Sequence, residues 1–412
     1  MNDLQTIYIK EWSKIKADQL KNIYGISQLR KSDFDLLTKL KNKIEITQLA
    51  NGIEVESGSY VGVIKFKDFQ LIIEPKISNL SLAKMIAFAY DLNDINIFED
   101  TVGLLNQKAN ISELIALIFI NKAEKLFYQG LRKRYQEKEE DIGSCRGKIN
   151  FNKLAKNSSA SLTLPCRFQE LTLDIEENQI ILAVLKLLLV NTNNKSLKKR
   201  INKLFSRLND KITLKSLNKE LLEQANNNID RLNNDYKDIF KIVELLLSQN
   251  DFNLIGNSNN DFSAFLLDMN LLFEKFLYQY FKKKVNSDQR VKYQRSLKNK
   301  FKTDAGLRYS LIPDYQFYKN DKLFKIADAK YKNYQNKKVS AADLYQLTAY
   351  TFANQEKIDQ VYLFYPSSKM KSKTFSLNNP TRKTEVEIIA KGLNIEELLD
   401  DIANKNYDLN IF

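Results

Sequence analysis

The 412-residue sequence contains no histidine. That absence excludes Ser-His-Asp and Cys-His catalysis, HExxH zinc sites, and the nucleases and phosphodiesterases that work through histidine. Two cysteines, Cys145 and Cys166, are too few for a four-cysteine zinc site or an iron–sulfur cluster, and free thiols are expected. The 11 glycines form neither a G-x-x-x-x-G-K-[ST] loop nor a G-x-G-x-x-G turn, so the chain is not expected to cradle a nucleotide. If it serves a nucleotide-driven machine, another chain supplies the motor. Long apolar runs are also missing. The longest, around residues 180–190, is broken by Lys186 and is too short to span a bilayer. The opening MNDLQTIYIKEW has no basic region followed by an apolar one, so no signal peptide is expected, the expected location is cytoplasmic and no membrane partner is expected.

What is present describes a folded protein of two or three domains, 43% hydrophobic and 11% aromatic. The formal charge is +14 and the pI about 9.3, which favours a polyanionic partner such as nucleic acid. The Lys, Asn and Ile bias runs through the whole chain, so charge alone carries little weight. Without histidine, any hydrolysis must rest on carboxylates, lysines, water and a hard metal ion.

The richest stretch is residues 310–332, SLIPDYQFYKNDKLFKIADAKYK. It reads as two short strands around a polar turn at residues 319–322. Asp328 and Lys330 are two apart and so share a strand face. Asp314 joins them only if the register is right. A three-residue loop at residues 320–322 pairs 319 with 323 and 314 with 328, whereas a two-residue loop sends Asp314 to the other side. Convergence therefore requires that loop length or a bulge. If the three meet, two acidic oxygens can hold Mg²⁺ and a lysine can orient water or stabilise the transition state, as phosphodiester hydrolysis needs. An ordinary exposed hairpin would have a similar composition. Against that, Asp328 and Lys330 interrupt FKIADAKY, an otherwise apolar segment where unpaired charge is costly.

Two flanking features fit the same chemistry. Upstream, residues 262–283 read as one mostly apolar helix carrying Glu274, placed to complete a metal site or to lie on a solvated face. Downstream, residues 340–353 read as a helix capped by Ser340, with Gln346 and Tyr350 on one face, able to contact DNA or the lysine.

Glu274, Pro313-Asp314, Asp328-Ala329-Lys330-Tyr331-Lys332 and Gln346-Leu-Thr-Ala-Tyr350, in that order, resemble the PD-(D/E)xK nuclease superfamily, and in particular the McrC family, the nuclease subunits of McrBC-type 5-methylcytosine restriction systems. The similarity extends to GVIKFKDFQLIIEPKI near the N-terminus, to the basic clusters around residues 130–135 and 145–149, and to CRFQE before the helix containing Asn178. The resemblance implies an endonuclease with Mg²⁺ as cofactor, Mn²⁺ substituting, and double-stranded DNA and an McrB-like AAA+ GTPase oligomer as partners. Asp314, Asp328 and Glu274 would be metal ligands, Lys330 would position water, and Gln346 and Tyr350 would support the lysine or the DNA. Arg132, Arg134 and Arg146 are candidates to reach the partner's nucleotide site, as arginine fingers do.

The expected fold class is α+β multidomain. It comprises a small β-rich N-terminal domain for partner docking (residues 1–105), a mainly helical middle region (106–255) and a C-terminal α/β PD-(D/E)xK nuclease domain (256–412). Linkers are expected at residues 100–110 and 249–260, and one long helix across residues 216–248. The alternatives are a RecB-like nuclease acting alone or with a helicase, and a non-catalytic adaptor with a degenerate nuclease fold. Metal-dependent cleavage separates the adaptor from the enzymes, and GTP dependence separates the two enzymes.

Overall fold

The computed structural model describes residues 5–92, 111–155, 162–231, 233–249, 264–297, 300–302, 304, 308–353, 358, 360–379 and 384–407. The expected linker at 100–110, nearly all of that at 249–260, and the expected boundaries at 105 and 255 lie outside them. No helix among the described residues is long and apolar enough to cross a membrane. The architecture is mixed α+β, with twelve helices and five sheets among the described residues. Two compact units form, Met1–Leu114 with Ser263–Phe412, and Ile115–Phe262.

In chain order the elements begin with β1 (Gln5–Lys10), β2 (Lys14–Ile15), α1 (Ala17–Tyr24), α2 (Asp33–Leu40), β3 (Ile44–Leu49), β4 (Gly52–Ser57), β5 (Tyr60–Lys65), β6 (Phe69–Glu74) and α3 (Asn79–Ala89). Next come α4 (Ile111–Gln129), β7 (Arg134–Ile142), β8 (Lys148–Ile149), α5 (Phe151–Leu154), β9 (Leu164–Thr172), α6 (Glu176–Asn191), α7 (Lys195–Asn209), α8 (Lys219–Asn227) and α9 (Tyr236–Gln249). The chain closes with β10 (Ala264–Asp268), α10 (Met269–Lys284), β11 (Gln289–Tyr293), β12 (Lys300–Lys302), β13 (Arg308–Ser310), β14 (Tyr315–Lys319), β15 (Lys322–Ala329), α11 (Ala341–Phe352), β16 (Gln360–Pro366), β17 (Lys371–Asn379), β18 (Thr384–Leu393) and α12 (Ile395–Ala403).

In the first unit, β1-β6-β5-β10 form a four-stranded sheet. The stretch 262–283, expected as one helix, divides at Asp268. Its AFLLD segment pairs antiparallel with β5 as β10, and only then does α10 begin. An apolar run of five residues suits either a strand or a helix; the open edge of β5 decides for the strand. Asp268 caps the helix by accepting from the Asn270 amide at 2.9 Å. Gly62 in β5 is required there, because a Cβ would lie 2.0 Å from the Phe265 carbonyl oxygen.

The second sheet of this unit runs β11-β14-β15-β16-β18-β17, with β15, β16 and β18 parallel and the outer pairs antiparallel. α10 covers one face. Its Phe281 ring lies 5.1–5.2 Å from those of Tyr315, Phe317 and Phe364. Leu347 and Tyr350 of α11 pack on the other face with Ile326, Val361, Leu363 and Ile388. Each such side chain contributes about 1.5–3 kcal/mol by burial. β17, which sequence reading leaves unassigned, is an edge strand pairing with β18 over its whole length.

In the second unit, α6 is the buried core helix. The expected long helix across 216–248 is two, α8 and α9. Between them the Asn233 side chain accepts from the Asp230 amide at 2.6 Å and donates to the Asn228 carbonyl at 3.1 Å. Asn side chains that bond nearby backbone compete with helical bonding. The charged run after residue 133 is β7, antiparallel to β9, with β8 on the other side of β9. Opposite charges on the two long strands pair, as in Arg167–Glu137 at 3.1 Å.

Candidate active site

The hairpin β14–β15 reaches the needed register by a bulge rather than a longer loop. Asn320 and Asp321 form a two-residue turn with φ of 47° and 63°, the left-handed pair typical of tight hairpins. Lys319 therefore faces Lys322, and Tyr318 faces Leu323. The register then shifts, leaving Phe324 unpaired, and Phe317 faces Lys325, Gln316 faces Ile326 and Tyr315 faces Ala327. One residue before β14 begins, Asp314 meets Asp328 of β15. The Asp314 amide donates to Asp328 Oδ1 at 3.2 Å, and the Ala329 amide donates to Asp314 Oδ2 at 2.7 Å.

Both carboxylates are buried, Asp314 at 8% exposure and Asp328 at 1%. Burial, then the neighbouring charges of Asp328 and Glu274, push the Asp314 carboxyl well above the usual range. Lys330 Nζ lies 2.6 Å from Asp328 Oδ2. Burial alone would lower the Lys330 pKa, but the charge and contact of Asp328 prevail and raise it. The ammonium is thus in direct ion-pair contact with that buried oxygen.

Glu274 approaches from α10, on the other side of the sheet from α11. Its carboxylate accepts from Gln294 Nε2 at 3.1 Å and its backbone carbonyl from the Tyr315 hydroxyl at 2.8 Å. Burial raises its pKa to about 7; Lys330 opposes the shift, and Asp328 and Asp268 add to it. On the α11 side, Gln346 Nε2 donates to the Tyr350 hydroxyl at 2.6 Å, and that hydroxyl lies 3.4 Å from Asp328 Oδ1 and 3.2 Å from the Ile312 carbonyl. Gln346 and Tyr350 thus bear on Asp328 rather than directly on Lys330.

α11 is itself tied to the segment after β15 that bears Lys330. Ser340 caps it, accepting from the Asp343 amide at 3.2 Å. Burial would raise the Asp343 pKa, but Lys332 at 2.8 Å, the Tyr334 hydroxyl and Ser340 outweigh it and hold the carboxylate ionised.

The donor set suits a hard divalent cation. The oxygens of Asp314 and Asp328 are crowded like charges, and a divalent cation would relieve that repulsion. No three His, Cys, Asp or Glu side chains among the described residues are close enough to share one ion. The fit is to two carboxylates and water, with Glu274 outside the direct contact.

Sequence reading missed two residues here. Gln294 has a φ of 45°, donates its amide to the Asp314 carbonyl at 2.9 Å and orients Glu274. Tyr331 donates to Glu11 at 2.9 Å and packs edge-on against Phe273, the neighbour of Glu274. Tyr331 stands in the quoted 328–332 run, but the run does not reveal Glu11, 320 residues away, and Gln294 carries no local signal.

The three candidate arginines lie in the second unit. Arg132 pairs with Asp230 at 2.8 Å, and Arg134 with Glu176 at 2.9 Å and the buried Glu177 at 2.6 Å. Arg146 is exposed, with its guanidinium 4.5 Å from the Phe168 ring centre.

The family described as McrBC 5-methylcytosine restriction system component matches residues 55–366. Among solved structures, the chain is similar to one in the refined half-complex from the tetradecameric assembly of Thermococcus gammatolerans McrB AAA+ hexamers with bound McrC. That likeness has 19% identity and a TM-score of 0.61 and covers 97% of this chain and 100% of that one. A chain in the cryo-EM structure of the Thermococcus gammatolerans McrBC complex aligns at 21% identity over 67% of this chain and 87% of that one, with a TM-score of 0.46. No curated protein matches the sequence.

Proposed function

The chain belongs to the McrBC family of 5-methylcytosine restriction system components, and on that premise we propose that it is the DNA-cutting subunit, a Mg²⁺-dependent endodeoxyribonuclease with a PD-(D/E)xK fold. The observation that carries this reading is the meeting of Asp314, Asp328 and Lys330 at the ends of β14 and β15. Asp314 and Asp328 would hold Mg²⁺, with Mn²⁺ as a substitute. Bound there, the ion would compensate charge on the scissile phosphate and acidify water.

The chain's own residues would do the rest. Lys330, kept ionised by Asp328, would orient the attacking water and stabilise negative charge on the phosphate. Glu274, held near 7, is poised to take up a proton at its carboxylate close to neutral pH. Tyr350, braced by Gln346, would fix the Asp328 carboxylate.

For the partner, the solved relative is bound to McrB AAA+ hexamers. We carry that partnership over: an McrB-like GTPase oligomer would recognise modified DNA, and this chain would stimulate GTP hydrolysis and cut. Of the three arginines, exposed Arg146 is the one not committed to a short ion pair within its own unit.

The test uses cells carrying this gene with its neighbouring genes, transformed with cytosine-methylated or unmethylated plasmid. Wild type should depress uptake of the methylated plasmid alone, and Lys330→Ala should restore it. Restriction that persists in Lys330→Ala sinks the catalytic assignment. Equal, Lys330-dependent restriction of both plasmids sinks the dependence on methylation.

A further inference from the structure

A cleft of about 490 Å³ opens beside Tyr331, bounded by Trp12, Lys76, Lys332, Asn333 and Asn336 among others. Its size falls within the roughly 300–1,000 Å³ of small-molecule sites. Tyr331 is one Cα step, about 3.8 Å, from Lys330.

Its chemistry is that of a nucleotide site. Trp12 is the only tryptophan of the chain and is 40% exposed. Its backbone has a φ of 57°, a strained conformation for a bulky residue that persists only where the surroundings impose it. Its amide donates to the Gly58 carbonyl at 3.1 Å. Glu11 is fully buried, and its Oε1 accepts from the Lys76 amide at 2.8 Å and from the Tyr331 hydroxyl at 2.9 Å. One carboxylate, next in the chain to Trp12, thus ties two walls of the cleft, those of Lys76 and Tyr331. The amides of Asn333 and Asn336 make no hydrogen bond among the described residues, leaving donors and acceptors for a base edge. Lys76 supplies an exposed cation, whereas Lys332 is held by Asp343 at 2.8 Å. An exposed aromatic face, unused amides and a lysine are the groups by which proteins hold unpaired nucleotides.

We propose that this cleft binds an unpaired nucleotide of the DNA strand being cut, with its base stacked on the Trp12 indole and its phosphate near Lys76. The proposal rests on the nuclease reading for the identity of the strand. A free nucleotide offers the same chemistry, and the test separates the two sources.

Because Trp12 is the sole tryptophan, its fluorescence reports on the cleft alone. The full-length chain would be titrated, with Ca²⁺ in place of Mg²⁺, with octathymidylate, an abasic octamer of equal charge, and thymidine monophosphate. Octathymidylate should quench the emission to saturation while the abasic octamer does not. The Lys76→Ala/Asn336→Ala variant, which keeps the reporter, should need at least tenfold more octathymidylate. Equal quenching by the abasic octamer, or none by either, overturns the proposal. Quenching by the mononucleotide but not by the octamer overturns the strand as source. Mg²⁺-dependent cutting of duplex DNA with the GTPase partner is measured on the same preparation. Cutting without quenching overturns the cleft and spares the nuclease; quenching without cutting does the reverse.

Discussion

The Tyr331 hydroxyl donates to Glu11 Oε1 at 2.9 Å, joining residues 320 apart in sequence, and it does so one residue beyond Lys330. The contact links the segment after β1 to the segment after β15, which carries the lysine. Both groups are buried, and Glu11 Oε2 already lacks a partner. Tyr331→Phe removes a donor from a carboxylate that cannot turn to water and should cost about 1–3 kcal/mol in a urea melt. Glu11→Gln keeps an acceptor and should cost less. Equal losses from the two substitutions would show that the hydrogen bond contributes nothing specific.

Lys330→Ala should reduce single-turnover cleavage by about 10²–10³-fold, the usual cost of removing one preorganised charge-stabilising group. Because Lys330 is the cation beside the buried Asp328 carboxylate, the thermal midpoint without metal should fall as well, and saturating Mg²⁺ should restore the midpoint but not cleavage. Cleavage that returns together with the midpoint would recast the lysine as structural.

The Phe324 bulge permits a pair of opposing changes. Deleting Phe324 removes the bulge but keeps Phe317 opposite Lys325 and so keeps 314 opposite 328, and cleavage should persist at least in part. Inserting one glycine between Lys325 and Ile326 instead moves Asp328 one register step and sets Ala327 opposite Asp314, and cleavage should fall to background. Equal loss in both changes, read in the same assay, would show that this register does not set the activity.

Without added metal, stability should fall as the pH rises toward neutrality. Glu274 has a folded pKa of about 7 against an ordinary 4.5. An acid with a raised folded pKa binds its proton more tightly in the folded state. Its contribution is therefore complete below about 4.5 and is lost as the pH passes through about 7. Thermal midpoints measured from pH 4.5 to 8 should show this decline, and Glu274→Gln should reduce it, the remainder coming from Asp314, whose carboxyl is also raised. An unchanged slope in that variant would mean that the decline has another source.

Arg134→Ala and Arg146→Ala should part company. The first strands Glu177, which is fully buried, and should destabilise the protein by about 3–5 kcal/mol. The second removes an exposed cation–ring contact and should cost about 0.5–1 kcal/mol. Denaturant melts of the two variants measure the difference, and only Arg146→Ala then gives a clean test of GTPase stimulation.

The sequence by itself determined which groups carry the chemistry and where the strongly patterned elements lie. The lack of histidine narrows hydrolysis to carboxylates and lysine. A spacing of two puts Asp328 and Lys330 on one strand face, and a spacing of four puts Gln346 and Tyr350 within hydrogen-bond reach on a helix started by Ser340. These relations are local, so backbone geometry alone fixes them. Tertiary structure decided the rest. The Phe324 bulge, not the length of the turn, aligns Asp314 with Asp328. The edge of β5 turns residues 264–268 from a helical continuation into a strand. The charged run of β7 becomes a strand because β9 offers it opposite charges. Glu11 finds Tyr331, and Gln294 finds Glu274, across distances that no periodicity records. An apolar or charged run of a few residues is compatible with more than one conformation, and the free energy that selects among them comes from partners that only the folded chain brings within reach.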